Sequence, residues 1–467
     1  MTDLSRPRSP RLRVGPVRAS VPLVALLALP ILSAPTGAQI HAQEIPISLD
    51  EARRQAAEAH PGVQAALSRA EGAAHHRDAS RAYRFPTVGA ELDALRTNDP
   101  VAAFGSRLRQ GRFTEADFAP DRLNQPDALG DWSVGLGLNW SPLDATAAAG
   151  ARAAEALALA AGQGAQWAIR AAAVGAHGRY LDAVGAEARL EAAEAAVEAA
   201  AENLRVTERR RDEGMVTEAD VLQARAAVED AGAREIQARQ RISDTRARLG
   251  LALGWEPGRI PVPTDRVLDS DADTTAAASF PPLSDRPDLQ ASASRLDASE
   301  SRVREARNAR LPKVEGFARV GTHARAPFSS PETNWTVGLH IRLPVYTGGG
   351  IGHRVQAVDA EREALRREHE QRLREAQVEV DEARRALEFA GEALAAAAAS
   401  AEASAEAARF MRRRFQEDLV TAADLVAVEA RAAEAAARRV DAAVGHALAG
   451  ARLRFLTDLN ANHGALP

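Results

Sequence analysis

Two stretches of the chain contain no proline, one between Pro142 and Pro257 and the other between Pro344 and Pro467. Proline removes an amide donor and clashes with the preceding helical turn, so its absence over such lengths permits unbroken helices. Both stretches are rich in Ala, Glu and Arg, which lose little on entering a helix. Leu190, Val197 and Leu204 recur every seven residues in the first, and Leu373, Val380, Leu387 and Leu394 in the second. That period marks helices packed with a left-handed supercoil. A helix of about 65 residues reaches roughly 100 Å at 1.5 Å per residue, a length suited to crossing a compartment. Each stretch is interrupted once, at Glu213-Gly214-Met215-Val216-Thr217 and at Glu417-Asp418-Leu419-Val420-Thr421. Gly214 is a natural C-terminal cap, and each Thr can open the next helix. A coiled-coil rod accounts for these helices taken alone.

The chain is written twice. Pro61 and Pro86 bracket an Ala-rich, charged helical stretch, and Pro287 and Pro312 bracket a similar one of the same length. Trp132–Leu136 reads WSVGL and Trp335–Leu339 reads WTVGL; Val216–Asp220 reads VTEAD and Val420–Asp424 reads VTAAD. A period near 200 residues far exceeds the roughly 20–50 of solenoid units, and fits two structural repeats. The expected organisation is repeat 1 over 43–254, a Pro- and Ser/Thr/Asp-rich equatorial linker over 255–286, repeat 2 over 287–458 and a tail over 459–467. Each repeat should hold a short helix, two strands, a very long helix, a tight turn and a returning helix. Ser48-Leu49-Asp50-Glu51 supplies a capping box for the first helix. The first repeat carries an extra loop between Arg96 and Gly130, expected to face outward.

The strands alternate. Trp132, Val134, Leu136, Leu138 and Trp140 are separated by Ser133, Gly135, Gly137 and Asn139. Trp335, Val337, Leu339, Ile341 and Leu343 repeat the pattern, as do Val88, Ala90, Leu92 and Ala94. Lys313 to Gly321 is a fourth candidate, although Phe317 falls on its polar face. Period-two alternation puts one set of side chains on each face of a sheet. Lengths of about 9–11 residues match a tilted membrane-spanning strand; a half-buried soluble sheet alternates in the same way. Eleven of the nineteen aromatic residues fall within Tyr83–Trp140 and Phe317–Tyr346, resembling the interfacial girdles of an outer-membrane barrel. Four strands cannot close such a barrel, and open edges are not tolerated in lipid. The barrel reading therefore demands an oligomer.

Composition excludes other classes. The chain has no cysteine, so disulfides, thiolate metal sites, thiol catalysis and N-terminal lipidation are all excluded. A mild formal charge of −5, with no basic patch interleaved with aromatics, argues against nucleic acid. Arg6, Arg8, Arg11, Arg13 and Arg18 precede the apolar run Val21 to Leu32. This reads as an export signal over 1–42, cleaved between Ala34 and Ala42, and the run is short of the ~20 residues a spanning helix needs. A membrane anchor or an unstructured tail is the other reading. Asp269, Asp271 and Asp273 imitate a calcium loop, but Phe280 stands where the closing glutamate belongs. Gly348 to Gly352 lacks the Lys-Ser/Thr of a phosphate loop and the third glycine of a dinucleotide fingerprint. His75-His76 has no metal-ligand spacing. No cofactor, metal or catalytic residue is expected.

Over nearly all of its length after the signal, the sequence resembles the TolC-like outer-membrane efflux family. The resemblance is carried by Ser48–Ala52 with His60-Pro61, by Arg286-Pro287, by the paired strands, and above all by two motifs. These are Gly214-x-Val216-Thr217-x-x-Asp220-Val221 and Val420-Thr421-x-x-Asp424-Leu425. The resemblance implies an α+β membrane protein. Three chains would form a twelve-stranded β-barrel, four strands from each, continuous with a long periplasmic α-helical barrel. The implied function is an exit duct in the outer membrane for tripartite efflux or type I secretion, working without chemistry alongside a periplasmic adaptor and an inner-membrane pump. The implied adaptor-contacting tips are Gly214, Met215, Val216, Thr217, Asp418, Leu419, Val420 and Thr421. The implied periplasmic gate comprises Asp424, Phe415 and Asp220. Three Asp424 carboxylates would form a cation-favouring ring; an ordinary first-turn acid interacting with the helix dipole is the alternative. The family's second acidic ring position is Ala427 here and its basic latch position is Val420, while Phe415 lacks the hydroxyl of the latch aromatic. An exported coiled-coil structural or adhesive protein without a pore is the competing function.

Overall fold

The computed structural model describes residues 43–266, 283–327, 329, 331–417 and 419–457. The expected signal, Asp269 to Asp273 with Phe280, Asp418 and the tail 459–467 lie outside the described residues.

Two helices dominate, α5 (Ala145–Asp212, 68 residues) and α8 (Gly350–Gln416, 67 residues). Each returns through a second helix, α6 (Glu218–Ala252) and α9 (Ala422–Thr457). Shorter helices complete the layer: α1 (Leu49–Ala59), α2 (Pro61–Arg81) and α7 (Pro287–Asn308). Pro61 and Pro287 occupy first turns, where a missing amide donor costs nothing. At the start of α1, Ser48 accepts from the Glu51 amide at 3.3 Å, but the expected box is only half made. The Glu51 carboxylate turns instead to Arg54 and to Gln55 Nε2, the latter at 2.6 Å.

The helices lie side by side in a definite order. α2 and α6 flank one side of α5; α7 and α9 lie between α5 and α8. The contacts are made by small residues. Ala149, Ala151, Ala153, Ala160 and Ala165 of α5 are buried, as are Ala376, Ala383 and Ala408 of α8. Gly185 of α5 is buried where a Cβ would collide with Val444 of α9, so the backbones approach closely there. Of the expected heptad residues only Val380 is fully buried, with Leu387 packed beside it against Leu453 and Leu456. Alanines carry the rest because they let helix axes draw together.

Four strands form one antiparallel sheet in the order β2-β3-β5-β6: β2 (Thr87–Thr97), β3 (Leu129–Leu143), β5 (Lys313–Ala324) and β6 (Glu332–Arg342). All four expected strands are present. Phe317 breaks the alternation because Gly338 sits opposite it: a Cβ at position 338 would come within 2.5 Å of the Phe317 ring. The aromatic ring covers the bare glycine.

Two features were not legible in the sequence. Gln43–Ile47 (β1) pairs in parallel with Arg259–Pro263 (β4), so the Pro-rich connector begins with a strand. Tyr180 locks this pair, its hydroxyl donating to the Ile47 carbonyl and accepting from the Thr264 and Asp265 amides at 2.9–3.2 Å. Ile47, Ala52, Tyr180, Val184, Leu249 and Leu253 form the core around it. The Arg96–Gly130 connection is also folded. It holds α3 (Pro100–Arg109), a 3-10 turn over Glu115–Phe118 and α4 (Pro120–Asn124).

Candidate functional site: helix tips and the exposed sheet

The first tip is built by two caps. Gly214 takes φ +79°, which only glycine adopts without strain, and donates to the Arg211 carbonyl. Met215 donates to the Arg210 carbonyl at 2.8 Å, completing a Schellman closure of α5. Thr217 and Asp220 then form a reciprocal capping box for α6. The second tip repeats this chemistry without glycine: Leu419 donates to Arg414 at 2.9 Å, and Thr421 pairs with Asp424.

Asp220 and Asp424 are therefore first-turn acids that pair with the cap threonines in the single chain. The Thr217 hydroxyl holds the Asp220 carboxyl below the usual range, and the Thr421 hydroxyl does the same for Asp424. Asp424 is exposed and Asp220 partly so at the ends of their helices, and both carry negative charge through the neutral range.

Phe415 is placed differently. It is buried with Ala422 and Leu425, flanked by Val206, Met411 and Val420. Val206 belongs to α5, so this cluster joins the second tip to the first helical pair. Arg210 closes it: its guanidinium stacks on the Phe415 ring at 4.4 Å and donates to the Gln416 carbonyl at 2.9 Å. Arg210 is 9% exposed, and sequence reasoning missed it. A heptad continued from Leu204 points to Arg211, one residue later, and nothing in the run Arg209–Arg211 marks which arginine turns inward. Met215 and Leu419 stand exposed at the extreme ends of the two tips.

At the other end, one face of the sheet is apolar and uncovered. Val88 and Leu92, Val134 and Leu136, and Trp335, Val337, Leu339 and Ile341 are all exposed large hydrophobics. Their register makes the patch continuous across all four strands: Leu92 lies opposite Val134, Leu136 opposite Val320, and Val320 opposite Trp335. The opposite face carries Glu91, Asp93, Arg319, His323, Asn334 and His340. No helix among the described residues is long and apolar enough to cross a membrane. No described cluster of three His, Cys, Asp or Glu could hold a metal ion.

The family model for outer membrane efflux proteins matches residues 52–255 and 282–457, taking in both tips and all four strands of the sheet. The chain belongs to the outer membrane efflux protein family. The solvent efflux pump outer membrane protein SrpC of Pseudomonas putida is 28% identical over 174 residues, which are 35% of this chain and 36% of SrpC. The matched part thus spans about a third of that relative. The fold extends further. A membrane protein from Pseudomonas aeruginosa superposes with a TM-score of 0.74 at 21% identity, over 87% of this chain and 92% of its own. The CmeC outer membrane channel of Campylobacter jejuni does so with a TM-score of 0.74 at 18% identity, over 87% and 85%. The long helices and small sheet of this efflux-family chain are therefore the family's fold.

Proposed function

We propose that three copies of the chain assemble into a passive exit duct spanning the outer membrane and reaching through the periplasm. The exposed apolar face of the four-stranded sheet carries this reading. In water such a patch is an aggregation hazard; in lipid it is the outer wall of a barrel. A sheet open at two edges cannot stand in lipid. β2 and β6 are those edges, and they run in opposite directions. The β6 strand of one copy therefore meets the β2 strand of the next in the antiparallel sense, and three copies of four strands close a twelve-stranded ring.

The helical layer supports the same closure. Its free sides are α2/α6 and α8, and each bears an exposed apolar stripe. On α8 these are Val378, Phe389 and Phe410; on α6 they are Leu222, Ile236 and Leu251. At 100° per residue each trio falls within an arc of about 60°. A head-to-tail contact of the α8 stripe with the α6 stripe of the next copy buries both. A simple rod leaves the sheet unexplained.

On this reading 43–254 and 287–458 are two copies of one unit, joined by 255–286, and 1–42 directs export. The duct serves tripartite efflux or type I secretion, without cofactor or catalysis. The tips around Gly214–Thr217 and Leu419–Thr421 contact a periplasmic adaptor coupled to an inner-membrane pump. Asp220, Phe415 and Asp424 belong to the entrance that those tips close, with Asp424 repeated three times around it. Mass measurement in detergent and conductance in planar bilayers test the proposal together. A trimer with discrete openings is expected, and a stable monomer without conductance would overturn it.

A further inference from the structure

The connection between β2 and β3 reaches across the sheet on a defined side. Ser106 and Gln110, at the end of α3, donate to the Asp131 carboxylate of β3 at 3.2 and 2.9 Å. His323 of β5 meets the same carboxylate at 3.0 Å. On β6, Asn334 donates to the Arg109 carbonyl at 3.2 Å, and the Glu332 side chain packs against Gly111. Asp131, His323, Glu332 and Asn334 share the parity of Ser133, Gly321 and Thr336, which is that of the polar face. Helix α3 therefore lies over the polar face, anchored to three of the four strands. It does so at the end of the sheet farthest from the long helices, since β2 leaves α2 at Thr87 and ends at Thr97.

Helix α3 also has a second side. Ala103, Ser106 and Gln110 are buried toward the sheet, whereas Val101 and Leu108 are 81% and 50% exposed on the opposite face. Phe118 is exposed as well, its ring edge-on to Phe113 at 5.0 Å, and Phe113 is in turn edge-on to Phe104 of α3 at 4.9 Å. Among the described residues nothing covers Val101, Leu108 or Phe118.

We propose that residues 98–128 form an inward-folded cover over the outer mouth of the duct, completed by contact between the Val101, Leu108 and Phe118 surfaces of three copies. The inference rests on the trimeric reading above. If the polar face lines the lumen, α3 projects from the wall toward the axis. There its outward face meets only its two symmetry mates. The partner is thus a second and third copy of this chain, and the apolar surface that would otherwise face water is buried at the centre.

The chain has no native cysteine, so single substitutions report cleanly. Val101→Cys should cross-link copies with a short bis-maleimide in native membranes, and Leu136→Cys on the apolar sheet face should not. Glu91→Cys, on the polar face beneath the cover, should react slowly with a bulky membrane-impermeant maleimide added outside cells. Replacing 98–128 by an Asn-Gly turn should accelerate that reaction about tenfold or more, by removing an opening step. If the replacement does not assemble, Val101→Glu combined with Leu108→Glu, both exposed positions, should give the same acceleration. A trimer with no Val101→Cys cross-link and no change at Glu91→Cys overturns the cover and leaves the duct standing. Absence of any trimer overturns both.

Discussion

The Arg210 guanidinium is clamped between the Phe415 ring and the Gln416 carbonyl, so a residue of the first long helix holds the end of the second. A desolvated cation over an aromatic face contributes about 2 kcal/mol, and a buried charged hydrogen bond adds to it. Arg210→Ala should lower the thermal midpoint of the assembled protein and raise the open probability in bilayers. Phe415→Ala should cost more, about 3–5 kcal/mol, because it also empties the cluster of Ala422 and Leu425. The double variant should fall short of the sum, since each single change already breaks the stack.

The caps at the two tips give a sharper separation of roles. Thr421→Ala removes the hydroxyl that donates to Asp424 and should cost about 1 kcal/mol of local stability, with little effect on ion preference. Asp424→Asn keeps the helix start but removes the charge, and should reduce cation over anion selectivity in reversal-potential measurements. The folded-state depression of the Asp424 carboxyl fixes the sign of its pH response. Its stabilising contribution is present above the unfolded carboxylate range and is lost as pH falls through the lowered value. The Thr421 cap keeps Asp424 charged as pH falls while repulsion among three copies opposes it, so selectivity should be lost on the acid side of neutrality.

His177 offers a test at the core. Burial, reinforced by Arg53 and Arg454, pushes its pKa down to about 4. In the unfolded chain the ring protonates near pH 6.5, so stability falls as pH drops from there toward 4. The accumulated loss is on the order of 3 kcal/mol. Thermal melts between pH 7.5 and 4.5 should flatten measurably in His177→Gln.

On the sheet, the two faces should respond oppositely. Leu339→Arg places a charge mid-strand on the apolar face and should cost about 2–4 kcal/mol of membrane stability. Thr336→Arg, on the polar face, should be tolerated. Heat-modifiable mobility of membrane extracts on gels distinguishes the two.

The long helices and strands were readable because their signals are local. A missing proline, a two-residue period and a Thr-x-x-Asp box act within a few residues. Parallel pairing of Gln43–Ile47 with Arg259–Pro263 was not readable, since it joins segments more than 200 residues apart and Pro46 and Pro261 argue against strand. The connection after Arg96 carries little local signal because its helices are short and its anchors, Asp131, His323 and Asn334, lie on other strands. Asp424 was visible as an acid, but its engagement by Thr421 depends on the cap geometry. Arg210 was hidden because its partner is on the other long helix.

The alanine lining of the helix layer has a mechanical consequence. A leucine seam fixes register by interlocking side chains, and shifting it means lifting each one out of its socket. Contacts built from Ala149, Ala160, Ala376, Ala383 and Ala408 present shallow ridges with no rotamers to rearrange. Neighbouring helices can then glide along one another over small distances while staying in van der Waals contact. Resistance to such gliding concentrates at the bulky points, Phe415 near one end, Tyr180 with Leu249 and Leu253 farther along, and Val380 with Leu453 and Leu456 between α8 and α9. The layer behaves as a bearing pinned at three places, and releasing the pin at the tip frees the helix ends without unpacking the wall.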